Sequence, residues 1–222
     1  MFDNRPFESV EQMNAHMISQ WNKKVKPNDE VVILGDFSYE KGEKTNEILK
    51  ALNGRLYLVT GNHDFFVDDP DFDKNRFVWI KPYAEMKDNG RKVVLSHYPI
   101  FTYNGQFRVN EKGEYTTYML YGHVHNSYDE MVTHRFIREL SETKRYYNNS
   151  PEKIAYPCQM INCFCMYSDY TPLSLDEWIV LDTDRRAKID RGEIIIEWYV
   201  CDQKIKQKDR GYDHGYKRSG NS

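Results

Sequence analysis

Seven side chains that can hold a metal ion or move a proton stand in four short clusters: Asp36 in Gly35-Asp36; Asn62, His63 and Asp64 in Gly61-Asn62-His63-Asp64; His97 in Ser96-His97-Tyr98-Pro99; and His123 and His125 in Gly122-His123-Val124-His125. Oxygen and imidazole donors without thiolates suit Mn²⁺, Fe or Zn²⁺ and argue against a Cys-ligated structural zinc. In extended backbone, residues i and i+2 face the same way, so His123 and His125 can reach two adjacent ions. Two-ion hydrolytic sites hold their ions about 3.5–4 Å apart and need a bridging carboxylate. Asp36, the only acid in its cluster, is the natural bridge. Such ions make hydroxide available near neutral pH and neutralise phosphoryl oxygens. His63 can then protonate the leaving oxygen if Asp64 orients and charges its ring. Taken singly, a Gly-Asp or Gly-Asn pair is a turn and a lone His97 is structural. The weight lies in their conjunction.

Each cluster follows an apolar run that reads as a buried strand: Val31–Leu34, Arg55–Thr60, Lys92–Leu95 and Thr117–Tyr121. In open α/β architectures ligand sites collect where the carboxyl ends of strands converge. Ser9-Val10-Glu11-Gln12 has capping-box spacing, and Val10, Met13, Met17, Trp21 and Val25 follow at helical intervals until Pro27, which predicts a helix over residues 10–25. Further helices are expected over 43–52 and 126–140, and a polar, turn-rich stretch over 141–157. Strands are expected at Met160–Met166, Trp178–Leu181 and Ile194–Val200. His16, beside the first helical stripe with no second ligand four residues away, reads as a packing or solvated histidine.

A chain of 222 residues with 40% hydrophobic and 29% charged composition is long enough for one domain with a real core. We expect that domain over 1–200 and a polar tail over 201–222. The formal charge of −3 gives no polybasic surface, so nucleic acid is not indicated as a partner. No apolar run spans a bilayer and no signal-peptide pattern opens the sequence, so no membrane partner and a cytoplasmic location are expected. Cys158, Cys163, Cys165 and Cys201 lack C-x-x-C pairing and read as reduced thiols, with Cys163 and Cys165 on one face of a strand.

The four clusters, in this order, resemble the motifs of the calcineurin-like metallophosphoesterase superfamily. "FDNRPFESVEQMN" and "DYTPLSLDEW" are similar to its small phage- and bacterial-type branch. The resemblance implies an α/β fold, an α/β/β/α sandwich of two mixed sheets flanked by helices, with two divalent ions at one edge. It implies Asp36 as the bridge, Asn62, His97 and His123 on the second metal, His125 on the first, and His63 with Asp64 in protonation and transition-state stabilisation. The family's first motif, Asp-x-His after the first buried strand, has no match in this sequence. The first strand is therefore expected to be missing. Two explanations are open: a start inside a complete enzyme with Met1 an internal methionine, which we favour because a sheet centre tolerates such a gap poorly, or a natural variant. Asp36 and His125 alone are a weak first site, so the second is expected to be better occupied.

The sequence thus points to a metal-dependent hydrolase of a phosphomonoester or phosphodiester. The alternative is a catalytically impaired protein that binds metal or a phosphorylated ligand. The expected substrate is a phosphate-ester small molecule or nucleotide, and a homodimer is compatible with the sequence. Tyr98, Phe101, Tyr103 and Phe107 follow His97 and include rings able to stack a base, although most such rings pack.

Overall fold

A computed structural model describes residues 5–146 and 151–194. Residues 195–200 of the expected last strand, the expected tail and Cys201 lie outside them. The Ser9 hydroxyl accepts the Gln12 N–H at 3.1 Å and starts α1 (Val10–Lys24). Of the expected stripe, Val10 stays 50% exposed, while Trp21 packs inward and Val25 is buried; Ile18, outside that stripe, also packs inward. Strand β1 (Glu30–Ile33), helix α2 (Gly42–Lys50) and strands β2 (Arg55–Val59) and β3 (Phe77–Lys81) follow, and the three strands form a parallel sheet in the order β1-β2-β3. Strands β4 (Tyr83–Asp88), β5 (Arg91–Ser96), β6 (Thr117–Tyr121) and β9 (Met160–Asn162) form a second, mixed sheet in which only β4 runs antiparallel. Between β6 and β9 come α3 (Tyr128–Glu142) and a small antiparallel pair, β7 (Lys144–Tyr146) and β8 (Lys153–Ala155).

Period-2 alternation splits the strands between two environments. Val59, Val93, Leu95, Leu120 and Ile161 face one another between the sheets. Leu56 and Leu58 face outward onto Leu49 of α2 and Trp21 of α1, while Val94, Met119 and Met160 face Ile137 of α3. This is the expected α/β/β/α layering, with one sheet parallel throughout and the other mixed. No helix among the described residues is long and apolar enough to cross a membrane.

Three expectations are corrected. Trp178–Leu181 is not a strand; it lies within α4 (Leu175–Asp190), whose first turn is fixed by a capping box between Ser174 and Glu177. Leu175 and Trp178 then fall three apart on one helical face and close the inter-sheet core. The expected strand Met160–Met166 ends at Asn162 and turns into a 3₁₀ segment, Cys165–Ser168, so Cys163 and Cys165 do not share a strand face. Strands β3 and β4 lie outside the expected elements: Phe77-Val78-Trp79-Ile80 is an apolar run with no polar cluster at its end to draw notice, and Tyr83–Asp88 alternates apolar with charged residues.

Glu177 also joins α1 to α4 through the Lys24 ammonium at 2.6 Å. Its bonds to Lys24 and to Ser174 hold its carboxyl at about 2. A depressed carboxylate stabilises above its unfolded value, so this contribution is complete above about pH 4.5 and is lost as the pH falls through about 2. Urea unfolding should find Glu177→Gln less stable at pH 7, with the deficit shrinking between pH 4.5 and 2, and Ser174→Ala about 1 kcal/mol less stable.

Candidate metal centre

The carboxyl ends of β1 and β2 in one sheet meet those of β5 and β6 in the other. The meeting is intimate: the His97 ring, 2% exposed, donates Nδ1–H to the Leu34 carbonyl at 2.7 Å, and the Gly122 N–H bonds the His97 carbonyl at 3.0 Å. Glycine permits this approach. A Cβ on Gly35, whose φ is +87°, would sit 2.5 Å from His97 Nδ1 and 2.6 Å from the Gly61 nitrogen. A Cβ on Gly61 would overlap the Asp36 carboxylate and lie 2.5 Å from its backbone nitrogen. Backbone cannot yield as a flexible side chain can, so Gly61→Ala is expected to cost about 1–3 kcal/mol, read from the urea midpoint, and to spread Asp36 from His97.

With its proton on Nδ1, a neutral His97 turns the bare Nε2 toward Asn62 Oδ1 at 3.0 Å, His123 Nδ1 at 3.2 Å and Asp36 Oδ2 at 3.4 Å. Asp36, His97 and His123 each offer one ligand atom, and these atoms lie within 4.8 Å of one another. In the tautomer that turns a bare His123 Nδ1 to this point, the converging lone pairs need positive charge among them, which a second proton or a metal cation can supply. Burial works against a charged His97, yet the Asp36 carboxylate and the Leu34 carbonyl outweigh it and raise its pKa. Burial favours the neutral form of Asp36 too, but the His97 ring and the His63 N–H lower its pKa. His123 is lowered by burial and by the neighbouring His97. The donor set therefore fits a divalent cation.

The remaining sequence candidates are arranged differently from expectation. Asp64 does not face the His63 ring: its buried carboxylate accepts backbone N–H groups of Gly61 at 2.7 Å, Phe37 at 2.7 Å and Asp36 at 3.0 Å. It pins the two turns together, and burial raises its pKa despite those donors. The His63 N–H bonds Asp36 Oδ1 at 2.9 Å, while the half-buried His63 ring lies tilted against Tyr39 at 4.9 Å and meets Phe65 edge-on at 6.1 Å. The shared face expected for His123 and His125 is absent, because both residues are left-handed, with φ of +66° and +48°, and the Val124 N–H closes a tight turn onto the Gly122 carbonyl. His123 joins Asp36 and His97, whereas the His125 ring lies flat on Phe164 at 4.8 Å.

Sequence reasoning missed what holds that turn. The His125 carbonyl accepts Asn162 Nδ2–H at 2.9 Å and the Tyr167 hydroxyl at 3.1 Å. Asn162 in turn bonds buried Glu130 at 3.0 Å, Glu130 pairs with Arg185 at 2.8 Å, and Arg185 bonds the Tyr167 hydroxyl at 2.6 Å. Asn162 within an otherwise apolar strand was the available signal. Of the rings after His97, Tyr103 is core, Phe101 packs on Phe136 and Phe107 on Tyr156, and Tyr98 remains 47% exposed beside His123. His16 packs between Phe7 and Tyr170, as expected of a packing histidine.

Comparison with known proteins gives this geometry a context. A solved structure described as "The Crystal Structure of the Protein of Unknown Function AQ665 from Aquifex aeolicus" is similar, with 25% identity, coverage of 78% of this chain and 87% of that one, and a TM-score of 0.49. "Uncharacterized protein MJ1445" of Methanocaldococcus jannaschii is 30% identical over 195 residues, 86% of this chain and 84% of that protein. Residues 13–140, the span that carries all four clusters, match the family model described as "Calcineurin-like phosphoesterase superfamily domain", and the chain belongs to that superfamily.

Proposed function

We propose that the protein is a metal-dependent phosphoesterase acting on a phosphomonoester or phosphodiester. The observation that carries this reading is the convergence of Asp36, His97 and His123 lone pairs, with Asn62 Oδ1 beside them, in a member of a metal-dependent family. Asp36, Asn62, His97 and His123 would hold one divalent ion, with Mn²⁺, Fe and Zn²⁺ all suited to such donors. When bound, such an ion supplies positive charge for phosphoryl oxygens and lowers the pKa of water. The second ion that the family resemblance implies would draw on Asp36 and His125, and the His125 ring lies on Phe164, so one position is better furnished than the other.

The protein's own groups do the rest. Leu34 fixes the His97 tautomer so that Nε2 faces the site. Asp64 holds the Asp36 and Gly61 turns in register through three N–H bonds. His63, supported between Tyr39 and Phe65, donates the proton to the leaving oxygen.

The test is hydrolysis of bis(p-nitrophenyl) phosphate and p-nitrophenyl phosphate by chelator-stripped protein with and without Mn²⁺. Turnover should require the metal, fall by at least about 100-fold in Asp36→Asn and by about 100-fold in His63→Ala. Absence of metal-dependent turnover on both esters would sink the reading and leave metal or phospho-ligand binding.

A further inference from the structure

A groove of about 330 Å³ opens directly beside His123, walled by Tyr98, Pro99, Val124 and Val132, with Asp129 at its edge. Of the centre described above only His123 also lines it. Its volume lies at the small end of organic-ligand pockets and suits one ring system rather than a whole cofactor. Tyr98, 47% exposed, is steadied by edge contacts to His123 at 4.5 Å and His97 at 5.0 Å. Asp129 is exposed in the first turn of α3, placed there by the Ser127 cap, and its carboxylate has no hydrogen-bond partner among the described residues. A carboxylate only accepts, so it favours N–H groups and repels a carbonyl oxygen or a second phosphate. A phosphoryl group at Asp36, His97 and His123 would leave its organic part at the mouth of this groove, since His123 belongs to both.

We propose that the groove seats a flat heterocycle bearing an amino group, the organic part of the phosphate ester, with Tyr98 stacked on its face and Asp129 accepting its amine N–H. This inference rests on the phosphoesterase reading for the placement of the phosphate. Stacking of a base on a tyrosine strengthens binding by about tenfold or more, and an amine-to-carboxylate bond at an exposed site by about tenfold.

Adenosine monophosphate, inosine monophosphate and ribose 5-phosphate separate the contributions, because the first two differ in an amine against a carbonyl and the third lacks the ring. Calorimetric titration of the Mn²⁺-loaded full chain should give adenosine monophosphate about tenfold tighter than inosine monophosphate, and ribose 5-phosphate weaker than adenosine monophosphate by about tenfold or more. Asp129→Asn should bring the two nucleotides together, and Tyr98→Leu should bring both toward ribose 5-phosphate. Equal affinity for the two nucleotides in the native chain, or equal affinity for ribose 5-phosphate and adenosine monophosphate, overturns the proposal. Chromogenic turnover measured on the same samples separates the two readings. Retained hydrolysis without the nucleotide preference removes the groove assignment alone, whereas the preference without any hydrolysis supports the groove and removes the phosphoesterase reading.

Discussion

Arg185→Ala is expected to lower unfolding free energy by about 3–5 kcal/mol at pH 7. The Glu130 carboxylate is 2% exposed, and among the described residues the Arg185 guanidinium, at 2.8 Å, is its only cationic hydrogen-bond partner, with Asn162 at 3.0 Å and the Tyr121 hydroxyl at 3.4 Å beside it and the Arg186 charge acting without a hydrogen bond. Truncation leaves an ionised group in the interior with neutral donors alone, and it also removes the guanidinium plane stacked 3.8 Å over Tyr167. Burial already raises the Glu130 pKa with Arg185 in place, and removal of the cation raises it further. The sign follows: a carboxyl whose folded pKa exceeds its unfolded value takes up protons on folding, so the variant loses stability as pH rises from the ordinary carboxylate range toward that raised value. Urea denaturation at pH 5 and pH 7 should therefore show the larger deficit at pH 7. Replacing both partners by methionine should recover most of the loss, since a buried pair contributes little net against apolar groups of similar volume. Equal deficits at both pH values, or no recovery in the double variant, would count against a buried charge as the cause.

That ion pair also marks where reading the sequence stops. The positions of Asp36, Asn62, His97 and His123 were legible because each follows a run of apolar residues, and alternation along those runs dictates two packed sheets with turns at one edge. Local chemistry set what could be seen: Ser9 and Pro27 bound α1 closely, while the apolar run Trp178–Leu181 reads as a strand in isolation and is helical because the capping box at Ser174 starts α4 ahead of it. What could not be seen depends on contacts between distant segments. Glu130 and Arg185 are 55 positions apart and each resembles an ordinary charged residue on a helix surface. The left-handed turn at His123 and His125 is enforced by Asn162 and Tyr167, so an extended reading of Gly-His-x-His put both rings on one face when the fold separates them. The bonds of Asp64 were hidden for the same reason, since two of the three backbone amides it serves come from another strand's turn.

His97→Ala tests the centre without relying on turnover. A ligand that binds only the folded state stabilises it by RT ln(1 + [L]/Kd), about 2.7 kcal/mol at a hundredfold excess over Kd, or about 5–10 °C in a domain of this size. Native protein stripped by chelator should therefore gain about that much on addition of Mn²⁺ at such an excess. His97 is the hub of the donor set, because its Nε2 is the atom that Asn62, His123 and Asp36 all face and its Nδ1 ties the two sheets at Leu34. Its removal takes away one ligand and releases the other three from their common geometry, so affinity should fall by more than the roughly 10–100-fold typical of an outer hydrogen-bond partner. At the same metal concentration the variant's thermal shift should then vanish. His97→Gln separates loss of the ligand from loss of the inter-sheet tie: its amide can donate to the Leu34 carbonyl and restore stability of the metal-free protein, yet it offers no imidazole nitrogen. If Mn²⁺ stabilises His97→Ala as much as the native chain, the cation binds elsewhere and the convergence of lone pairs at Asp36, His97 and His123 is relieved by a proton instead.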